Sequence, residues 1–176
     1  MSIQIKQHYP NDSLFDITVL LETVCPEKLL IIGENEILNI HKQYQLQCEV
    51  IKKPFSCNLL SSSTQLSEPA LMQRYDLAII GNILESKSKQ ECQQLLGRLR
   101  DLCTPRLILI ADLDNTEWLE NELLGFGFSK FCNAERGIKE RNIVIYQYNI
   151  DSYKKTPDWF NPKNWANPNL WNKFWW

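Results

Sequence analysis

The sequence lacks the features that would direct a chain to a membrane or to nucleic acid. Its longest apolar runs, such as residues 29–32 and 107–111, have the length of a strand and fall short of the roughly 18 residues that suggest a membrane span. The segment 1–16 has no uninterrupted apolar stretch before a small-residue cleavage site, so we predict no signal peptide. The net charge of −2 argues against a broad basic surface for nucleic acid. We therefore expect a soluble, cytoplasmic protein.

Several patterns that carry catalysis or bind metals are also missing. The six cysteines form no Cys-x-x-Cys pair, which argues against structural zinc, and most lie in apolar or amphipathic segments as small hydrophobic side chains. There is no Gly-x-Ser-x-Gly elbow and no Gly-x-x-x-x-Gly-Lys loop. The two histidines are His8 and His41, and His41 falls in a predicted polar-faced helix, where we expect it at the surface. We predict no catalytic residue and no metal site.

The sequence does contain an alternation of helices and strands. Capping residues and apolar periodicity predict helices over residues 14–24, 37–44, 87–103 and 116–124, the last of them capped by Thr116. Short apolar runs predict strands over residues 28–33, 46–51, 75–81, 106–112, 128–132 and 142–148. This order predicts an α/β fold over residues 1–150, a Rossmann-like three-layer sandwich with a mostly parallel sheet and an antiparallel C-terminal strand.

Three segments resemble the class I S-adenosylmethionine-dependent methyltransferases. Residues 29–33 stand where that family has its first strand and glycine-rich turn, and residues 75–85 are similar to its fourth strand and the helix start that follows. Residues 122–128 resemble its leucine–glycine–phenylalanine turn before the last hairpin. The resemblance covers about residues 14–149 and implies methyl transfer with S-adenosylmethionine bound at the carboxyl ends of the strands.

Three departures from that family argue against ordinary cofactor binding. The family's turn usually carries two or three glycines, whereas Gly33 is followed by no second glycine. The predicted second strand ends at Lys52 and Lys53, where the family tends to place an acid that holds the ribose hydroxyls, and Ser86 stands where a histidine is expected. These departures favour a degenerate protein that acts as a non-catalytic interaction module. The alternative is an active S-adenosylmethionine-dependent methyltransferase on an unknown substrate.

If a ligand does bind, the residues best placed for it follow three of the predicted strands. They are Gly33, Glu34, Asn35, Asn82, Ile83 and Asp112. Gly33 would let the chain turn closely, and Asn82 could bind an adenine edge through a hydrogen bond. The competing interpretation of Glu34 and Glu36 is that they only favour the positive end of the following helix. Converging carboxylates at these strand ends would suit glycoside hydrolysis, but acids there more often cap helices.

The C-terminal segment 151–176 forms a tail with its own composition. Five of the six tryptophans lie in the last 18 residues. The ending, residues 153–176, is similar to the C-terminal signature of a proteobacterial family of unknown function. The tryptophans predicted to bind a partner are Trp159, Trp165, Trp171 and Trp175. Three interpretations stay open, since the rings could pack back onto the domain, anchor a protein partner or insert at a membrane interface.

Overall fold

The computed structural model describes residues 12–34, 37, 39–133, 143–153 and 173. Within them the helices are α1 (Asp12–Val24), α2 (His41–Val50), α3 (Ile83–Ser86), α4 (Lys89–Arg98), α5 (Glu120–Gly125) and α6 (Ile150–Tyr153). The strands are β1 (Lys28–Ile32), β2 (Ser56–Leu60), β3 (Leu77–Gly81), β4 (Arg106–Asp112), β5 (Ser129–Asn133) and β6 (Ile143–Asn149). A 3-10 turn, Pro69–Met72, precedes β3, and a π-helical turn, Leu99–Cys103, extends α4.

The strands of the described residues form one sheet in the order β2-β1-β3-β4-β6-β5. Strand β1 pairs in parallel with β2 and β3, and β3 pairs in parallel with β4, whereas β6 runs antiparallel to β4 and β5. This confirms the predicted α/β sandwich with an antiparallel C-terminal strand. The chain goes from β1 to β2 on one side and then crosses to β3 on the other, so the strand order reverses between β1 and β3. In open sheets of this kind, ligands bind at such a reversal.

The central strands of the sheet are buried on both faces. Successive residues of a strand point to opposite faces, and each face carries its own core cluster. Leu30 and Ile32 belong to a core cluster that includes residues of α4 and α5. Leu29 and Ile31 belong to a second cluster, which includes residues of α1 and α2. Two buried faces explain why the central strands have continuous apolar sequences. None of the helices in the described part of the chain is long and apolar enough to cross a membrane.

The structure corrects the prediction of a strand over residues 46–51. Residues 46–50 belong to α2 and Ile51 follows its last turn, because Tyr44 and Cys48 lie one helical turn apart and both pack into the core against the sheet. Leu46 and Val50 gave the segment its strand-like alternation. They point away from the sheet and are 62% and 83% exposed.

The two lysines after α2 therefore have a structural role that differs from the predicted one. Lys52 has a left-handed φ of 54°, and its N–H donates to the carbonyl of Glu49 at 3.2 Å. The N–H of Lys53 donates to the carbonyl of Cys48 at 2.9 Å, so the pair closes the last turn of the helix. The second strand is β2, in a segment where we predict no element. The lysines end a helix, and their position does not argue against a ribose site.

Two single-residue predictions are also wrong. His41 is expected at the surface, but it is 7% exposed, because it begins the row of α2 side chains that faces the sheet. Thr116 does not cap α5, which begins four residues later. Its Oγ1 instead donates to the carbonyl of Leu84 at 3.1 Å. The start of α5 is capped by Glu122, whose carboxylate accepts the Leu119 N–H at 3.0 Å.

Candidate functional site

The predicted ligand residues lie mostly at one edge of the sheet, where the parallel strands end. Gly33 and Glu34 follow β1, Asn82 follows β3, and Asp112 is the last residue of β4. The parallel register between these strands brings their carboxyl ends side by side. Asn35 lies outside the described residues. The sheet therefore gathers the described members of the set at the edge where a ligand site is expected.

Gly33 follows β1 and Gly81 ends the neighbouring strand β3, and the space that side chains would fill at these two positions is here called the crevice. The side chain of Ile37 enters this crevice. A Cβ atom built on Gly33 would lie 3.1 Å from Cγ2 of Ile37, and one built on Gly81 would overlap its Cδ1. Ile37 is partly buried and packs against the core cluster of α1 and α2. An apolar side chain of the chain itself thus occupies the space between the two glycines.

A second contact joins the ends of β1 and β2. The hydroxyl of Ser62 donates to Oε1 of Glu34 at 2.5 Å, and Ser62 is only 2% exposed. The Gly33 N–H also donates to the carbonyl of Leu60, the last residue of β2, at 3.0 Å. Sequence reasoning missed Ser62, because it belongs to a serine run that reads as a simple loop. The Glu34 side chain therefore has a hydrogen-bond partner at the end of β2.

The turn after β3 contributes a strained backbone. Asn82 adopts a left-handed conformation, with φ 59°, and its side chain is exposed. Its carbonyl accepts the Ser86 hydroxyl at 2.5 Å, which holds the short helix α3. Ile83 is fully buried in the core, so its part in a ligand site would be through its backbone. Of these two residues, Asn82 offers the polar side chain to the edge.

The ends of β3 and β4 are joined through a partly buried carboxyl group. Oε1 of Glu85 accepts the Asp112 N–H at 2.8 Å, and Oδ2 of Asp112 accepts the amide of Asn115 at 2.8 Å. Oε2 of Glu85 is buried without a hydrogen-bond partner among the described residues. Burial raises the pKa of Glu85, with a smaller contribution from the neighbouring Asp112 charge. From the sequence, Glu85 belongs to the segment that resembles the family and is one of the acids that could converge at the strand ends.

We expect Glu85→Gln to raise the melting temperature at neutral and higher pH. The raised pKa means that ionised Glu85 costs stability above its folded pKa, and that this cost disappears as the pH falls towards the ordinary value of a glutamate. Glutamine can still accept the Asp112 N–H and carries no charge, and the gain is reduced because its amide NH2 takes the place of Oε2, which has no partner among the described residues. Solvent screening keeps the gain small, so we expect about 1–3 °C near pH 8 and no difference near pH 4 in thermal denaturation.

Glu91→Gln is the matched control with the opposite sign. Glu91 is exposed, and its hydrogen bonds with Ser88 lower its pKa, so its charge stabilises the fold above the ordinary pKa of a glutamate. The glutamine variant should melt at a lower temperature near pH 8. A Glu85→Gln variant that melts at or below the wild-type temperature near pH 8 would contradict the prediction.

A cavity of about 360 Å³ opens beside Glu85, between the start of α4 and the loop after β4. Its lining includes Lys89 and Trp118. Trp118 is 3% exposed and packs edge to face on Phe126, with ring centroids 5.6 Å apart. The Lys89 ammonium lies 5.5 Å from the Trp118 ring and pairs with Glu122 at 2.6 Å. The described residues hold no group of histidine, cysteine and acid side chains suited to a metal ion.

Comparisons with known proteins give a family for the sequence and similar solved structures for the fold. The model of a family of unknown function, DUF6231, matches residues 11–176. The methyltransferase domain of bacterial CtHen1-CN superposes with a TM-score of 0.50 at 13% identity, over 78% of this chain and 97% of that one. The magnesium protoporphyrin IX methyltransferase of Synechocystis PCC 6803 with bound SAM gives 0.47 at 14% identity, over 78% and 79%. No curated protein matches the sequence.

At 13% identity, the likeness to the first of these structures shows the fold alone. The chain has the Rossmann-like α/β fold of that methyltransferase domain. Activity and cofactor use have to be argued from this chain's own residues, because one fold serves many functions.

Proposed function

We propose that this chain, which belongs to the DUF6231 family of unknown function, is a methyltransferase-like protein that holds no S-adenosylmethionine and acts as a non-catalytic interaction module. The observation that carries the proposal is the side chain of Ile37 between Gly33 and Gly81. Cofactor binding in this fold needs open space where the strand order reverses, and here the chain fills that space itself. The residues at the crevice therefore do not fit the cofactor.

The turn after β1 supports the same conclusion. A glycine-rich turn allows the backbone to approach a cofactor without a clash from Cβ atoms. In this chain only the first position of that turn is glycine, and the next residue, Glu34, is hydrogen-bonded to Ser62 of the neighbouring strand end. The turn is therefore built for contacts within the protein.

Isothermal titration of the full-length protein with S-adenosylmethionine and its demethylated product tests the proposal. We expect no saturable heat up to about 1 mM and no shift in melting temperature. An S-adenosylmethionine-dependent methyltransferase run in the same buffer is the positive control. Binding tighter than about 100 μM, roughly −5.5 kcal/mol, would overturn the proposal and restore the active methyltransferase. Gly33→Ala and Asn82→Ala would then show whether the predicted residues hold the ligand.

An interaction module needs a surface that holds a partner, and we propose the tail for that role. The support is its sequence, because tryptophan is enriched at the centres of protein interfaces and Trp159, Trp165, Trp171 and Trp175 lie within 17 residues. The tail lies outside the described residues except for Lys173 and the last residues of α6. The proposed occupant of this surface is a protein partner.

A further inference from the structure

We infer that the absence of side chains at Gly33 and Gly81 makes room for Ile37, and that Ile37 is the chain's own occupant of the crevice. The inference deepens the proposed function and rests on it. The glycine after β1 predicts, from sequence, a backbone that approaches a cofactor closely. The geometry assigns both glycines to a contact within the protein.

The contact at Gly81 is the closer of the two. A Cβ atom at this position would overlap Cδ1 of Ile37, would lie 3.4 Å from its Cγ1, and would meet Cβ of Ile110 at an ordinary 3.7 Å. The obstacle to a side chain at position 81 is therefore the terminal methyl group of Ile37, and the β4 wall leaves room. Position 81 and position 37 are complementary in size.

The contact at Gly33 includes backbone. A Cβ atom there would lie 3.1 Å from Cγ2 of Ile37 and 3.1 Å from the carbonyl oxygen of Gly81. A side chain can rotate away, but a carbonyl in a paired central strand cannot. Gly33 therefore brings the ends of β1 and β3 together, and Ile37 covers the junction.

The turn after β1 holds Ile37 in place. Its N–H donates to the carbonyl of Glu34 at 3.2 Å, and its own carbonyl accepts the N–H of Ile40 at 3.3 Å. These bonds lead the chain from β1 into α2 and aim residue 37 back at the strand ends. Not every glycine has such a contact, since a Cβ atom at Gly97 or Gly125 would meet nothing within 4 Å.

A double-mutant cycle on Ile37→Val and Gly81→Ala tests the inference. Valine lacks Cδ1, the atom that a side chain at position 81 would overlap, and keeps the rest of the packing. We expect Gly81→Ala alone to lower the melting temperature by about 2–4 °C, because the terminal methyl group of Ile37 has to turn away and loses part of its packing. In the Ile37→Val background the same alanine should lower it by less than about 1 °C, because the obstructing atom is gone.

Two further variants serve as controls. Gly33→Ala should stay destabilising in the Ile37→Val background, because the Gly81 carbonyl and Cγ2 of residue 37 remain in its way. Gly97→Ala, in α4, should leave the melting temperature unchanged or raise it, because alanine favours a helix and the site is open.

Additive losses in the cycle, or a harmless Gly81→Ala, would overturn the inference. If Gly81→Ala does not fold, recovery of folded protein in the double variant supports the inference and failure of both variants overturns it. The titration of the wild-type chain is read separately. Cofactor binding in that titration would contradict the proposed function. Additive losses of melting temperature without cofactor binding would contradict only the role assigned to Ile37.

Discussion

Replacing Trp118 with alanine is expected to lower the free energy of unfolding by about 3–5 kcal/mol, as deletion of a large core ring does. Trp118 is 3% exposed and belongs to the core cluster that holds β3 and β4 against α4. It also packs edge to face on Phe126 and lies under the Lys89 ammonium. Alanine would remove both contacts and enlarge the adjacent cavity of about 360 Å³, which the surrounding helices cannot close.

Urea denaturation followed by far-UV circular dichroism measures this loss. Trp118→Phe is the matched control, since phenylalanine keeps a ring next to Phe126, and we expect it to lose about 1–2 kcal/mol. Lys89→Met removes the cation–π contact together with the ion pair to Glu122 but leaves the ring in place, and should cost less than about 1 kcal/mol. A Trp118→Ala loss below about 1 kcal/mol would show that the loop after β4 is not packed as the structure has it.

The central strands could be predicted because their signal is local. In β1, β3 and most of β4, consecutive residues are buried on the two faces of the sheet, so each strand is a continuous apolar run. Strand β2 was missed for the converse reason. It is an edge strand, and its sequence Ser-Cys-Asn-Leu-Leu has no fully buried residue. Propensity carries little information where burial is partial.

The error over residues 46–51 has a tertiary cause. Leu46, Cys48 and Val50 alternate with polar residues, which is the pattern of a half-buried strand. The helix forms because Tyr44 and Cys48 find a core to fill, and the Tyr44 hydroxyl donates to the carbonyl of Pro26 at 3.1 Å. That contact is with a residue 18 positions earlier in the chain, which a local window cannot contain. The cost is the exposure of Leu46 and Val50.

The edge that carries the candidate site could be predicted from sequence, but its contents could not. Topology alone brings the residues after β1, β3 and β4 together, and the structure places Gly33, Asn82 and Asp112 there. Two residues that contact this edge, Ile37 and Ser62, are brought there by the loop between β1 and α2 and by the loop after β2. Nothing in the spacing of these residues indicates the path of these loops. The sequence therefore predicts an open ligand site at this edge, whereas in the structure Ile37 occupies the crevice.

Removing residues 157–176 is expected to abolish capture of a protein partner while the body stays folded. A tryptophan buried at an interface commonly contributes about 2 kcal/mol or more, so the loss of Trp159, Trp165, Trp171 and Trp175 should weaken capture more than about tenfold. Crosslinking of the tagged full-length chain in its native cells, with mass spectrometry, identifies the partner. Binding of that purified partner to the full and shortened chains then measures the loss.

Replacing the same four tryptophans with phenylalanine, and separately with alanine, keeps the chain length constant and tests the rings themselves. Capture should fall in the alanine variant more than in the phenylalanine variant, because phenylalanine keeps an apolar ring. The melting temperature of both should stay within about 2 °C of the full-length protein. The opposite pattern, a large drop in melting temperature with capture unchanged, would mean that the rings stabilise the domain, because large buried rings contribute several kcal/mol each. The tail would then belong to the fold, and the partner surface would have to lie elsewhere on the molecule.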